Sequence, residues 1–249
     1  MKKLHIIGSG TGQKELLTLK AYEILKKSDI ILYDNLISDE ILAITPKSCK
    51  KVYVGKLPYK KSFSQDEINN LIKAYFQQYS TIVRLKSGDP YIFGRGFEEW
   101  LWAKEQNINI EYTPGISSMH GAGLNDIPLT HRGVSEGIWI LTGTKQDGKM
   151  TADLTHAAQS NATVVIYMGM NKLPEITRTY VLQNKGHIPA AIIQNIGRPQ
   201  QKKVICTVKD LVWASKEHQM SHPAIIIIGS VVTLQFGSHQ QFMNERHII

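Results

Sequence analysis

Apolar positions in the first half of the chain alternate between two spacings. Residues 4–7 form a short strand-like run, closed by Gly8-Ser9-Gly10-Thr11-Gly12. Residues 15–27 then place Leu17, Ala21, Ile24 and Leu25 on one helix face, the three-to-four spacing of an apolar stripe. A second strand is predicted over 30–33 and ends at Asp34. Ser64-Gln65-Asp66-Glu67 has the form of a capping box, in which the Ser hydroxyl and Glu carboxylate satisfy N–H groups left open at a helix start. The helix it opens should bury Ile68, Leu71, Ile72, Tyr75 and Phe76. Residues 81–85 read as a strand running into Lys86-Ser87-Gly88-Asp89-Pro90. Residues 97–106 read as a helix, and 109–112 as a short strand.

Pro114-Gly115 breaks this alternation, and the domain boundary is placed there. The expected organisation is an N-terminal α/β domain over 1–113, a C-terminal α/β domain over 114–235, and a polar tail over 236–249 that frays. Within the second half, strands are predicted over 137–141, 163–167, 190–195, 203–207 and 224–229, with helices near 173–184 and 208–216. Strands alternating with helices indicate α/β layering.

Composition adds exclusions. The 249 residues are 42% hydrophobic and 20% charged, which fits a soluble globular chain long enough for a sizeable core. The two cysteines, Cys49 and Cys206, suit a reducing compartment and exclude a disulfide framework or a cysteine-rich metal site. Glycines 8, 10 and 12 interrupt any apolar stretch behind Met1-Lys2-Lys3, and runs such as 224–228 are far too short for a bilayer. A cytoplasmic protein is therefore expected. The net charge is +8, from 29 Lys and Arg against 21 Asp and Glu, which favours an anionic partner. The basic residues are scattered, with no run longer than two, so no basic arm for nucleic acid stands out. His218 and His222 have metal-ligand spacing, but Pro223 follows and no third ligand is evident, so no metal is expected.

In open α/β sheets, ligands bind beyond the carboxyl ends of the strands. The 8–12 loop, Asp34, Gly55-Lys56 and 86–90 all fall at such ends, although each alone also reads as a turn. The 8–12 loop is not a dinucleotide fingerprint, because Gln13 occupies the third glycine position. Further on, Arg95 stands between Gly94 and Gly96, where backbone freedom would allow close approach to a ligand carboxylate and a bidentate clamp. Glu98 could accept from an N–H donor. Equally, Asp89-Pro90 is a common turn, and Glu98-Glu99 suits a helix N-terminus. His131-Arg132 reads evenly as an anion contact or a surface loop. Met168 ends a strand, where a thioether is usually core but can line a ligand site.

Taken together, these segments resemble the tetrapyrrole methylase family over residues 4–232. The resemblance is carried by Gly8-Ser9-Gly10-Thr11-Gly12, Tyr33-Asp34, Val54-Gly55-Lys56, Val83-Arg84-Leu85-Lys86-Ser87-Gly88-Asp89-Pro90, Phe93-Gly94-Arg95-Gly96 with Glu98-Glu99, Pro114-Gly115-Ile116-Ser117-Ser118, Ile127-Pro128-Leu129-Thr130-His131-Arg132, Tyr167-Met168-Gly169 and Pro223-Ala224. The Gly-Arg-Gly…Glu-Glu segment is most similar to the members that act on uroporphyrinogen III. The resemblance implies a two-domain α/β fold with the active site in the interdomain cleft, and a homodimer. It implies two methyl transfers from S-adenosylmethionine to uroporphyrinogen III, giving precorrin-2 for sirohaem or cobalamin. It implies cofactor contacts at Thr11, Ser87, Gly88, Asp89, Ile92, Ser117, Ser118, Met168, Ile196 and Gly197. Asp34 and Lys56 are the implied acid/base residues, and Arg95, Glu98 and Arg132 the implied substrate contacts. No metal, nucleic acid or membrane partner is implied. No segment resembles a dehydrogenase/ferrochelatase domain, so methyl transfer alone is expected. Thr11 and Gln13 stand where the family usually has Pro and Asp, and Ser87 and Phe97 where it usually has Gly. Two other readings stay open: a methylase of this fold acting on another corrinoid or on RNA, and a non-enzymatic anion- or nucleotide-binding protein.

Overall fold

The computed structural model describes residues 2–55 and 63–236. The chain divides into two compact units, Met1–Ser118 and Met119–Ile249. The tail from 237 onward and Lys56 lie outside the described residues.

The first unit is built on five parallel strands: β1 (Lys3–Gly8), β2 (Ile30–Tyr33), β3 (Lys50–Tyr53), β4 (Thr81–Lys86) and β5 (Ile110–Thr113). Their order in the sheet is β3-β2-β4-β1-β5. A parallel sheet needs cover on both faces, and its inner strands are apolar on both sides for that reason. On one face Leu4, Ile6, Ile30, Leu32 and Ile82 pack with Ile68 and Ile72 of α3 (Gln65–Gln78) and Ala103 of α4 (Gly96–Glu105). On the other, Ile7, Ile31, Val83 and Leu85 pack with Ala21 and Leu25 of α1 (Leu19–Leu25) and Ile41 and Leu42 of α2 (Asp39–Leu42).

The capping box forms as predicted: Ser64 N–H donates to Glu67 Oε2 (2.7 Å) and Glu67 N–H to Ser64 Oγ (3.2 Å). The helix predicted over 15–27 is shorter. Thr18 is its N-cap and accepts from Ala21 N–H at 3.2 Å, while residues Lys14–Leu16 form a separate 3-10 turn. The hydroxyl offers the chain a defined start three residues later than the apolar spacing alone indicates.

The second unit carries β6 (Ile138–Thr142), β7 (Thr163–Tyr167), β8 (Pro189–Gln194), β9 (Lys202–Thr207) and β10 (Ala224–Ile228), in the order β6-β7-β10-β8-β9. Only the β6–β7 pair is parallel; the other pairs are antiparallel. Val164, Ile166, Ile192 and Ile226 pack against α5 (Asp153–Gln159), α6 (Leu173–Leu182) and α7 (Leu211–Glu217). The opposite face, with Ala191, Ile193, Ile225 and Ile227, is covered by Ala122, Ile127, Ile196 and Val232. No helix among the described residues is long and apolar enough to cross a membrane.

Candidate functional site

At the carboxyl ends of β4, β1 and β5 three loops meet through their backbones. Gly10 N–H donates to Gly88 O (3.2 Å), Gly88 N–H donates to Gly10 O (2.8 Å), and Ser9 N–H donates to Lys86 O (2.8 Å). A Cβ on Gly8 would stand 2.5 Å from Gly115 N and from Gly88 O, and one on Gly115 would stand 2.2 Å from Gly88 O. The glycines therefore let backbone touch backbone across three strand ends. Gly88 is also left-handed, with φ +63°, and an added Cβ there would meet nothing nearer than Ser117 Cα at 3.7 Å. Beside this junction the hydroxyls Ser9 Oγ and Thr11 Oγ1 are buried with no hydrogen-bond partner among the described residues. Unsatisfied buried hydroxyls are costly unless a ligand or water meets them. Ser87 and Ile92 are half-buried, Ser117 buried and Ser118 half-buried, so the implied contact residues of this unit cluster around the same strand ends.

Asp89 is the fastener of the junction. Its Oδ1 accepts from Tyr91 N–H (2.8 Å), and its Oδ2 accepts from Tyr112 Oη (2.6 Å) and Gly115 N–H (3.2 Å). The Tyr91 and Tyr112 rings stack at 3.9 Å. Burial, and then the hydrogen bond to Asp89, push the Tyr112 phenol well above its ordinary range, so it stays a donor. Both oxygens of Asp89 are thus taken by protein donors, and they fasten the loop after Gly88 to the end of β5.

The face of the sheet that is apolar at Ile30, Leu32 and Ile82 becomes charged at its carboxyl end. Asp34, Arg84 and Lys86 continue the same alternation, and Glu99 stands one helical turn before Ala103 on α4. Arg84 Nη2 donates to Asp34 Oδ1 (2.7 Å) and its Nη1 to the carbonyls of Leu32 and Leu85 (3.3 Å each). Arg84 Nε lies 3.2 Å from Glu99 Oε2, at ion-pair distance without hydrogen-bond alignment. Lys86 Nζ donates to Glu99 Oε1 (2.8 Å) and stands 3.8 Å from Asp34 Oδ2. The Arg84 and Glu99 side chains are 2% and 1% exposed, whereas that of Asp34 is 29% exposed. Burial opposes the Arg84 cation, but Glu99 and Asp34 together outweigh it and raise its pKa.

Arg95 and Glu98 face solvent and hold each other: Nε reaches both carboxylate oxygens at 3.0 Å, and Nη2 reaches Oε2 at 2.6 Å. The hydrogen bond from Arg95 draws the Glu98 pKa down. The flanking glycines serve packing rather than ligand approach. A Cβ on Gly94 or Gly96 would stand 2.6 or 2.7 Å from Pro90 O. Arg95 itself takes the left-handed conformation, φ 57°, at the N-cap of α4. That is a strained setting for a bulky side chain, of the kind found where function demands it.

The second unit holds the remaining implied residues. Met168 is left-handed, φ 53°, and half exposed, so it is not a core residue. Its carbonyl accepts from Thr144 Oγ1 (3.0 Å), and the neighbouring Tyr167 Oη accepts from Met119 N–H (2.9 Å). Ile196 is buried against Gly121, and Gly197 N–H donates to Gln201 Oε1 (2.9 Å). Arg132 is exposed in a loop where its carbonyl lies 2.9 Å from His131 Nδ1.

Arg84, Lys86, Glu99 and Tyr112 carry site geometry that the sequence motifs alone left without a role. The signal was present: Arg84 and Lys86 sit two apart in an otherwise apolar strand, which forces both charges onto one face.

Residues 3–212 match the model of the Tetrapyrrole (Corrin/Porphyrin) Methylases. The chain is 36% identical to the Uroporphyrinogen-III C-methyltransferase of Bacillus subtilis, over 95% of this chain and 93% of that protein. It is also 36% identical to the Siroheme synthase of Chromobacterium violaceum, over 93% of this chain but 50% of that protein. The chain thus spans about half the length of the siroheme synthases it matches. Among solved structures, a crystal structure of Uroporphyrin-III C-methyl transferase from Thermus thermophilus, complexed with S-adenyl homocysteine, superimposes with a TM-score of 0.81 at 33% identity, covering 93% of this chain and 99% of that one. By the reach of the family match and the extent of these likenesses, the chain belongs to the tetrapyrrole methylases.

Proposed function

We propose that this protein transfers methyl groups from S-adenosylmethionine to two carbons of uroporphyrinogen III, giving precorrin-2, the precursor of sirohaem and cobalamin. The observation that carries the reading is the near-full-length likeness to C-methyltransferases of that substrate, one of them solved with the demethylated cofactor. The glycine-lined junction supports it, because the buried hydroxyls Ser9 Oγ and Thr11 Oγ1 beside it have no protein partner among the described residues and so await a polar ligand.

The proposed S-adenosylmethionine contacts in the first unit are Thr11, Ser87, Gly88, Ile92, Ser117 and Ser118, with Asp89 fixing their loop. Arg95, Glu98 and Arg132 contact the substrate. The Arg95–Glu98 pair is more than half exposed, and such a pair is worth about 1 kcal/mol or less, so a substrate carboxylate can displace Glu98 cheaply. In each transfer an electron-rich pyrrole carbon attacks the sulfonium methyl. The carbon–carbon bond forms as the sulfur–carbon bond breaks, S-adenosylhomocysteine departs, the attacked ring carbon becomes quaternary, and the macrocycle returns to neutrality by losing a proton from a pyrrole N–H or a bridging CH2 to a base. Positioning within about 3–3.5 Å supplies most of the acceleration. Asp34 and Lys56 are the proposed acid/base pair, and the oxygen of Asp34 farther from its cations, Oδ2, is the one placed to accept a proton. The working form is a homodimer, which sedimentation checks.

The deciding experiment incubates the protein with S-adenosylmethionine and enzymatically made uroporphyrinogen III, then oxidises and weighs the products. A tetrapyrrole heavier by two methyl groups is expected. Unaltered uroporphyrin, or methylation of a later corrinoid or of 16S RNA instead, overturns the reading.

A further inference from the structure

We propose that Glu99 is a positioning residue for methyl transfer, acting through Lys86 and Arg84 on the Asp34 carboxylate; this rests on the function proposed above. Each Glu99 oxygen takes one cation, Oε1 that of Lys86 at 2.8 Å and Oε2 that of Arg84 at 3.2 Å. The same two cations then face the two Asp34 oxygens, Arg84 on Oδ1 at 2.7 Å and Lys86 towards Oδ2 at 3.8 Å. Two carboxylates thus share two cations, and the four charges sum to zero. Glu99 is 1% exposed, so its effect on a ligand passes through its neighbours.

Stability alone is a poor reason for this cluster. Buried ion pairs roughly break even against apolar residues of similar volume, and the same face is filled by isoleucine and leucine one step below, at Ile30, Leu32 and Ile82. What the cluster produces is one carboxylate, Asp34, left 29% exposed at a strand end with its cations held in fixed directions. Without Glu99, Lys86 would be free to swing fully onto Oδ2 and occupy the lone pair needed for proton removal.

The test is a double-mutant cycle on the full chain with uroporphyrinogen III and S-adenosylmethionine. Glu99→Gln should lower kcat by about tenfold or more, with both KM values and S-adenosylhomocysteine affinity within about twofold. In an Asp34→Asn background the same change should cost no more than about twofold, because its effect passes through Asp34. Glu99→Gln leaves two buried cations with one anion, which destabilises the fold, so the pair Lys86→Met with Glu99→Gln is made beside it. That variant removes one charge of each sign and should fold, judged by circular dichroism, and, with no ammonium left to swing onto Oδ2, should recover most of the kcat that Glu99→Gln alone loses. Losses that multiply independently of Asp34, a change confined to KM or cofactor affinity, undiminished turnover in Glu99→Gln, or an equal kcat loss in the folded paired variant would each overturn the positioning role. Absence of methyl transfer by the unaltered chain overturns the functional reading, and the proposal with it.

Discussion

Asp89 and Arg95 stand six positions apart and separate two kinds of work that look alike in sequence. Asp89 is buried, and each of its oxygens accepts from protein donors. An Asn there must turn its amide N–H groups towards the Tyr91 N–H or the Gly115 N–H, leaving donors opposed in a buried place. Asp89→Asn is therefore expected to lower unfolding free energy by about 1–3 kcal/mol, read by urea titration. S-adenosylhomocysteine affinity should fall with it, since the Gly88 loop loses its fastener; a variant as stable as the parent would remove Asp89 from that role. Arg95 is the opposite case. Its side chain is 60% exposed and its partner Glu98 56% exposed. Arg95→Ala should leave stability within about 0.5 kcal/mol, while weakening uroporphyrinogen III binding by about 10–150-fold, the 1.5–3 kcal/mol of a charged hydrogen bond. Cofactor affinity should not change. Unaltered kcat/KM for the tetrapyrrole would return Arg95 to the status of a surface ion pair.

Between elements, charge also ties β1, β5 and α1 together. Glu111 on β5 meets Lys20 of α1 at 2.5 Å and Lys3 of β1 at 2.9 Å, with His5 of β1 3.6 Å away. The hydrogen bonds from Lys20 and Lys3 pull the Glu111 carboxyl from its ordinary 4.5 to about 2. A folded-state value below the unfolded one means stability that is complete above pH 4.5 and is lost as pH falls towards 2. Burial lowers the His5 pKa from its ordinary value, while the neighbouring Glu111 opposes that shift. The stability difference between the parent and Glu111→Gln should accordingly be constant above about pH 5 and shrink to nothing near pH 2; a difference independent of pH would mean the lysines do not hold the carboxylate. Elements with strong patterns were legible in the sequence. The strands Ile30–Tyr33 and Thr163–Tyr167 coincide with the predicted runs, and the Ser64 box opens its helix where expected. β3 was hidden because Lys50 and Lys51 are solvated on an edge strand, which erases the apolar alternation. α2 is four residues long and too short for any period to register. The site divides in the same way. Gly8, Gly88 and Gly115 announced themselves as loops, but their mutual contact spans more than a hundred residues and only the folded sheet reveals it. Glu99 read as a helix-start acid, since nothing in its own segment shows the two cations that β4 brings to it.

The net charge of +8 is a property of the whole chain, and it bears differently on the two proposed ligands. Uroporphyrinogen III is a polycarboxylate, so a basic protein attracts it over long range and raises its rate of encounter. S-adenosylmethionine carries charges of both signs on a compact frame and, on the function proposed, is to be recognised through short hydrogen bonds and apolar contact. Added salt shortens the Debye length from about 10 Å at 0.1 M to about 3 Å at 1 M, which screens the first attraction and leaves the second almost untouched. The internal ion pairs should survive that change, because Arg84, Lys86 and Glu99 are buried beyond the reach of salt. The fold and the Asp34 cluster therefore stay intact while substrate capture weakens. Over this range the KM for uroporphyrinogen III is expected to rise several-fold and the KM for S-adenosylmethionine to stay within about twofold, with kcat little changed. If the two constants move in parallel, the +8 charge serves solubility alone, and Arg95 and Arg132 do not read substrate carboxylates.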